Sequence, residues 1–267
     1  MPVKTSVTLS ELYARQLDDH RRNPGFQELG LDVPVAAILA NRQDRWDYNE
    51  FLRIARDRMG ASVHEYSAGG QVNAVVLAYG TRPPQLWVSA DCGGYAELYE
   101  RFCIEKLNLR PSGNYRGAGF DLDHAYCKAA VPKEVKAYIR LFLVPSQANR
   151  SWGGYFERKL KDRISQEVRV GLRNETVAIM AKVAGIATPR LGRRVRGRPE
   201  RIRNVVDRLI ETGMLDPSTR EPDFHSLSAF CDVISGKAEN IMSKMTRLQG
   251  GRYHLETWTS LETTSEG

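Results

Sequence analysis

The chain has little cysteine. Its four cysteines, Cys92, Cys103, Cys127 and Cys231, form no C-x-x-C pair, so neither a disulfide framework nor a structural zinc ribbon is indicated and buried free thiols are expected. Long hydrophobic runs are missing as well. Stretches such as VAAILA near residue 35 are far too short to span a bilayer, and the opening MPVKTSVTLSELYARQ has no apolar signal-peptide core. The expectation is a soluble, cytoplasmic protein with no membrane partner. No internal repeat is visible. Histidine is scarce, at five residues, and four of these, His20, His64, His225 and His254, have no polar company that would suggest more than a structural or surface role.

What is present is an ordinary globular composition carrying a localised charge. With 267 residues, 42% hydrophobic and 27% charged, the chain can build one large domain or two small ones with real cores. Between Arg158 and Arg208 stand fifteen Lys and Arg against five Asp and Glu, while the whole chain has a net charge of only +7. The remainder is therefore slightly acidic. A concentrated basic segment suits polyanion binding, because phosphate contacts release counterions. A solvated basic helical face would carry the same charge.

The patterning divides the chain into four parts and an α+β fold. Residues 1–110 read as an α/β region of unknown role: LSELYARQLDD and DYNEFLRIARDRM as amphipathic helices, QVNAVVLAY and QLWVSAD as strands around the turn TRPP, and YAELYERFCIEKLNL as a helix. Residues 111–157 hold GFDLDH, YIRLFLV and SQANRSWGG, which fit two strands and a short helix. Residues 158–248 are mainly helical and basic, with FERKLKDRISQEV, TVAIMAKVAGI, PERIRNVVDRLIETG and SLSAFCDVISGKAENIMSKMTRL as candidate helices. Pro199 in a first turn and Gly213 just past the end frame the third of these. Residues 249–267 form a C-terminal tail, ending in a disordered LETTSEG.

The chemistry concentrates in the second part. Strand-like FDLDH ends at His124, a loop of about a dozen residues follows, YIRLFLV makes a second strand, and SQANRSWG begins a helix with Ser146 as N-cap. If hairpin and helix pack together, Asn149 faces the Asp123-His124 pair. An acid and an amide oxygen can then hold one hard divalent cation. His124, beside the metal, could deprotonate the attacking water. Asp121 either supports the metal ligands from behind or is a polar residue on a strand face. Arg150 suits a phosphate clamp, or else a cap or surface ion pair.

These residues, D-L-D-H at 121–124 and S-x-x-N-R-x-x-G at Ser146, Asn149, Arg150 and Gly153, resemble the HNH, or His-Me finger, endonucleases. The segment is similar to the HNH domain of RNA-guided CRISPR effector nucleases. The resemblance implies a ββα-metal finger, with His124 as general base, and Asp123 and Asn149 as ligands to a single magnesium or manganese ion. It also implies hydrolysis of phosphodiesters, most naturally in DNA, leaving 5′-phosphate and 3′-hydroxyl ends. Two positions depart from the family pattern. Cys127 stands where members often have Pro, and Arg140 near the place of a loop-bracing Asn or His. Paired cysteines, which carry a structural zinc in some members, are absent. A finger that binds DNA without cutting it, and a nuclease that prefers RNA or single strands, are the alternatives.

A second signal lies in RVRGRPER, where Arg196-Gly197-Arg198-Pro199 looks like the core of an AT-hook, whose two guanidiniums would reach into a narrow minor groove. A basic turn preceding a helix is the plainer reading of the same residues. Either way Arg193, Arg194, Arg196, Arg198, Arg201 and Arg203 are the candidate nucleic-acid contacts. A free nuclease is hazardous to its host, so control by a regulatory protein partner or an activating signal is expected, acting through the N-terminal region.

Overall fold

A computed structural model describes residues 5–22, 35–41, 52–58, 60–68, 71–78, 83–128, 131, 135–152, 171–174, 177–187, 198–214, 245–248 and 252–255. These residues form an α+β fold. Five α-helices are described: α1 (Leu9–Arg22), α2 (Tyr95–Lys106), α3 (Ser146–Trp152), α4 (Val177–Val183) and α5 (Arg198–Glu211). The strands are β1 (Thr5–Thr8), β2 (Val35–Asn41), β3 (Ser62–Ala68), β4 (Gln71–Ala78), β5 (Gln85–Ser89), β6 (Leu109–Ser112), β7 (Phe120–His124), β8 (Val135–Pro145), β9 (Gly171–Asn174), β10 (Met245–Leu248) and β11 (Arg252–Leu255).

The fold is organised around β8. Its sequence VKAYIRLFLVP is apolar nearly throughout, and residues 137–144 are all buried, as expected of a strand covered on both faces. Seven strands make one sheet in the order β3-β4-β5-β8-β2-β9, with β7 pairing β8 off that path. Ala90 N–H donates to Ala137 O at 2.9 Å, on the β5 side, whereas Ala125 N–H donates to Arg140 O at 2.8 Å. Because main-chain groups alternate between the two edges of a strand, β7 lies on the edge opposite β5. β2 and β7 therefore share one edge of β8 end to end, β2 along 135–139 and β7 along 141–145.

On the other edge β5 stops at Arg140, and a side chain takes over the pairing. Gln16 of α1 donates from Nε2 to Leu143 O and accepts from Leu143 N–H at Oε1, both at 2.8 Å. One amide thus satisfies both backbone groups of a buried residue, as a neighbouring strand would. The helix that delivers it is set by a capping box: Thr8 N–H donates to Glu11 Oε2 (2.8 Å) and Glu11 N–H to Thr8 Oγ1 (3.2 Å). The main core joins Leu9, Leu12, Tyr99, Phe102 and Cys103 to Phe120, Leu141 and Leu143.

Strand β8, in the 111–157 segment, is hydrogen-bonded to β5 and β2 of the 1–110 segment, because eleven residues are long enough to serve three partners. Two expectations need correction. Met245–Leu248, at the end of the helix expected over 226–248, is strand β10, which pairs antiparallel with β11 inside the expected tail. Gly250-Gly251 stand between the two runs, and a glycine pair between short segments favours a hairpin over a continuing helix. Ile54–Arg58, inside the second expected helix, is a π-helical turn.

The other expected elements lie close to their readings. α1, α2, α4 and α5 fall within or near the expected helices. β4 and β5 form the antiparallel pair expected around TRPP. Residues 156–168, 226–244 and 256–267 lie outside the described residues. Among the described residues no helix is long and apolar enough to cross a membrane.

Candidate active site

Strand β7, FDLDH, is a five-residue alternation, and that alternation decides what each side chain meets. Phe120, Leu122 and His124 fall on one face, Asp121 and Asp123 on the other. The first face turns to the core, where Phe120 is buried and Leu122 packs against the cluster. The second face is covered by α3 and α4. Asn149 of α3 donates from Nδ2 to Asp121 Oδ2 at 3.2 Å, and Lys182 of α4 forms an ion pair with Asp123. Its ammonium also donates to His124 O at 3.4 Å.

The hairpin and helix follow one another without a linker. β8 ends at Pro145 and α3 starts at Ser146. Ser146 does not cap that helix as expected: its N–H still donates to Gly119 O at 2.8 Å, continuing the β7–β8 ladder, and its hydroxyl is buried without a hydrogen-bond partner. The tight junction swings Asn149 over β7. Arg150, on the same helix, is exposed.

Helix α4 is fastened at its C-terminal end. Gly185 adopts φ +74°, its N–H donates to Lys182 O (3.1 Å), and Ile186 N–H donates to Ala181 O (2.8 Å), a Schellman arrangement that a side chain at residue 185 would strain. Tyr13 hydroxyl donates to Val183 O at 2.8 Å and Trp152 Nε1 to Ile186 O at 2.6 Å. These contacts fix the backbone around Lys182, which is only 2% exposed. The long basic side chain is thus directed inward at Asp123.

His124 sits at the end of β7, buried, with the Tyr95 ring edge-on at 5.0 Å between centroids. Burial pulls its pKa down to about 4; Asp123 opposes the shift, while Lys128 and Lys182 add to it. The imidazole is therefore neutral at pH 7 and able to accept a proton. Its Nε2 is buried with no hydrogen-bond partner, an expensive condition for a polar atom unless a water or ligand supplies the partner. The turn after it is braced by the main-chain bond from Ala125 to Arg140 O. The Arg140 side chain instead lies over the Phe142 ring at 4.5 Å, and Cys127 is half-buried.

That depressed pKa has a measurable consequence. The unfolded chain takes up a proton at this imidazole near pH 6.5, and the folded chain only near pH 4. Stability is full above pH 6.5 and falls as acid is added through that window, by on the order of 3 kcal/mol in total. Denaturant titrations of wild type and His124→Gln should converge as pH drops from 7 to 4.5. Parallel losses in the two proteins would show that His124 does not carry this term.

The structure therefore brings Asp121, Asp123 and Asn149 onto one face, with three hard oxygen-bearing side chains of the type that holds magnesium or manganese. No group of three or more His, Cys, Asp or Glu positioned for a metal occurs among the described residues, so any such site leans on the Asn149 amide oxygen. Because the amide donates to Asp121 through Nδ2, Oδ1 is the atom left for a ligand role. The donor set fits a hard dication in kind, but one of its carboxylates already has a cation, Lys182. That residue was missed in the sequence, although a lone charge inside VAIMAKV was the signal. Of the basic candidates, Arg198, Arg201 and Arg203 lie in the first two turns of α5, which packs on α4. Arg193 and Arg194, Arg196 and Gly197 of the AT-hook pattern, and Gly153 of the finger pattern lie outside the described residues. Comparison with protein-family models, with curated proteins and with solved structures finds no match.

Proposed function

We propose that the chain is a metal-dependent endonuclease of the HNH type that hydrolyses phosphodiester bonds, with DNA as the preferred substrate and the β7–β8–α3 unit as its ββα-metal finger. The observation that carries this reading is the hairpin-to-helix junction that sets Asn149 over the strand ending in Asp123-His124, with Asp121 holding the Asn149 amide at 3.2 Å. Asp123 and Asn149 would hold magnesium or manganese, and Asp121 would orient Asn149. A bound dication would supply Lewis-acid stabilisation of the phosphate and leaving oxygens. His124, neutral at pH 7, would take the proton of the attacking water through its unpartnered Nε2. Arg150, exposed on α3, would contact the phosphate with a planar guanidinium. The basic segment 158–208 would hold the polyanion, and the N-terminal strands would carry any contact with a regulatory protein.

A second reading keeps the nucleic acid and drops the chemistry: a binding protein with a degenerate finger. The Lys182–Asp123 ion pair and the burial of His124 favour it. Incubating the purified chain with plasmid, linear single-stranded DNA and RNA, with magnesium and with chelator, separates the readings. Magnesium-dependent cleavage of any polymer supports the nuclease and shows which polymer it prefers. Binding without cleavage under every condition supports the second reading.

The basic segment has its own test. Changing Arg194, Arg196 and Arg198 together to Ala should weaken duplex binding and flatten the plot of log affinity against log salt by about 0.9 for each phosphate no longer neutralised. A larger loss on A·T-rich than on G·C-rich duplex would identify a minor-groove hook. Unchanged affinity and slope on every polymer would return these arginines to a solvated surface.

A further inference from the structure

We propose that Lys182 is the resident counter-ion of the acidic face, and that its ammonium and a divalent cation exclude one another at Asp123. The inference rests on the preceding reading that Asp123 is a metal ligand. Two carboxylates, Asp121 and Asp123, stand on one strand face under two helices, and like charges so placed need a compensating cation. In this structure the cation comes from the chain itself. Lys182 is the one charged residue of Val177–Val183, it is 2% exposed, and it pairs with Asp123. A Lys is rarely buried unless it is paired.

The geometry suits an exchange. The Schellman turn at Gly185 and the Tyr13 and Trp152 hydrogen bonds hold the backbone of α4 where it is, so any movement belongs to the side chain. Its four-carbon stem is flexible, and the His124 carbonyl oxygen, 3.4 Å from the ammonium, offers a second acceptor when Asp123 is taken. A dication and the ammonium together would put three positive charges against two carboxylates, a repulsion that low-dielectric surroundings strengthen. The metal-free protein is thus closed by its own lysine, and metal entry has to move it.

Two measurements on the full chain test this, both with Mn²⁺ alone as the probe. Lys182→Met removes the competing charge and keeps the apolar stem, so Mn²⁺ binding followed by electron paramagnetic resonance should tighten by about tenfold or more, while Lys182→Arg should not tighten it. In the wild-type chain, acylation of the Lys182 amine, read by mass spectrometry, should be slow without Mn²⁺ and faster at saturating Mn²⁺. The labelling arm needs no variant and stands even if Lys182→Met fails to fold. Equal or weaker Mn²⁺ binding by Lys182→Met, or labelling that Mn²⁺ leaves unchanged, overturns the competition. If Asp123→Asn abolishes binding in the same experiment, the metal reading survives that result. If neither wild type nor Lys182→Met binds Mn²⁺ saturably, the metal reading fails and the competition fails with it.

Discussion

His124→Ala is expected to slow phosphodiester cleavage by about 10²- to 10⁴-fold, the usual cost of losing a general base, and to leave DNA affinity within about twofold of wild type because the basic segment is untouched. The side chain is buried but contributes no hydrogen bond through Nε2, so its loss should leave the fold standing. Thermal unfolding of the variant checks that point. The pH profile of wild-type kcat/KM should have its acid limb near pH 4 rather than near 6.5, since burial depresses the free imidazole and only the neutral form takes a proton. Wild-type cleavage rates in His124→Ala, under conditions where the parent is active, would sink the base assignment.

Asp123→Ala is expected to destabilise the protein as well as impair any metal binding. It strands the ammonium of Lys182, whose side chain is 3% exposed against 22% for Asp123. Removing one partner of a buried pair costs about 3–5 kcal/mol, and the partial exposure of Asp123 brings the expected loss to about 2–4 kcal/mol. The double variant Asp123→Ala/Lys182→Met should recover most of that loss, because two apolar groups replace a pair rather than half of one. Chemical denaturation of the four proteins in this cycle measures the coupling. A single variant that unfolds at the wild-type midpoint would mean that the pair holds nothing together.

The hairpin was legible because its signals are local. FDLDH alternates, YIRLFLV is an apolar run, and the polar SQANRS after it marks a change of element. Helix α1 was legible through its periodicity, and α5 through its periodicity and its end signals. What the sequence hid is long-range. Nothing in VAAILA says that it pairs with Val135–Ile139, and an apolar run of that length reads equally as helix or strand. The partner of Asp123 was hidden for the same reason: Lys182 lies 59 positions away, on a helix whose charge looked incidental. The surroundings of His124 were not legible from the dipeptide either. Neighbours in a strand face opposite ways, so a D-H dipeptide joins two environments, and only the end of the strand lets both reach one ligand.

The shared strand bears on inheritance and engineering. A catalytic unit that owns both of its strands can be cut out, moved between proteins or traded for a relative's version. Here β8 belongs at once to the hairpin and to the larger sheet, so a piece comprising residues 111–157 would carry away the centre of its neighbour and expose an eleven-residue apolar strand whose N-terminal half has lost both partners, a template for aggregation. The unit is not portable. Its side chains can be altered in place, one at a time, but it has to evolve together with the sheet that supports it, because β8 is hydrogen-bonded to β2 and β5 as well as to β7.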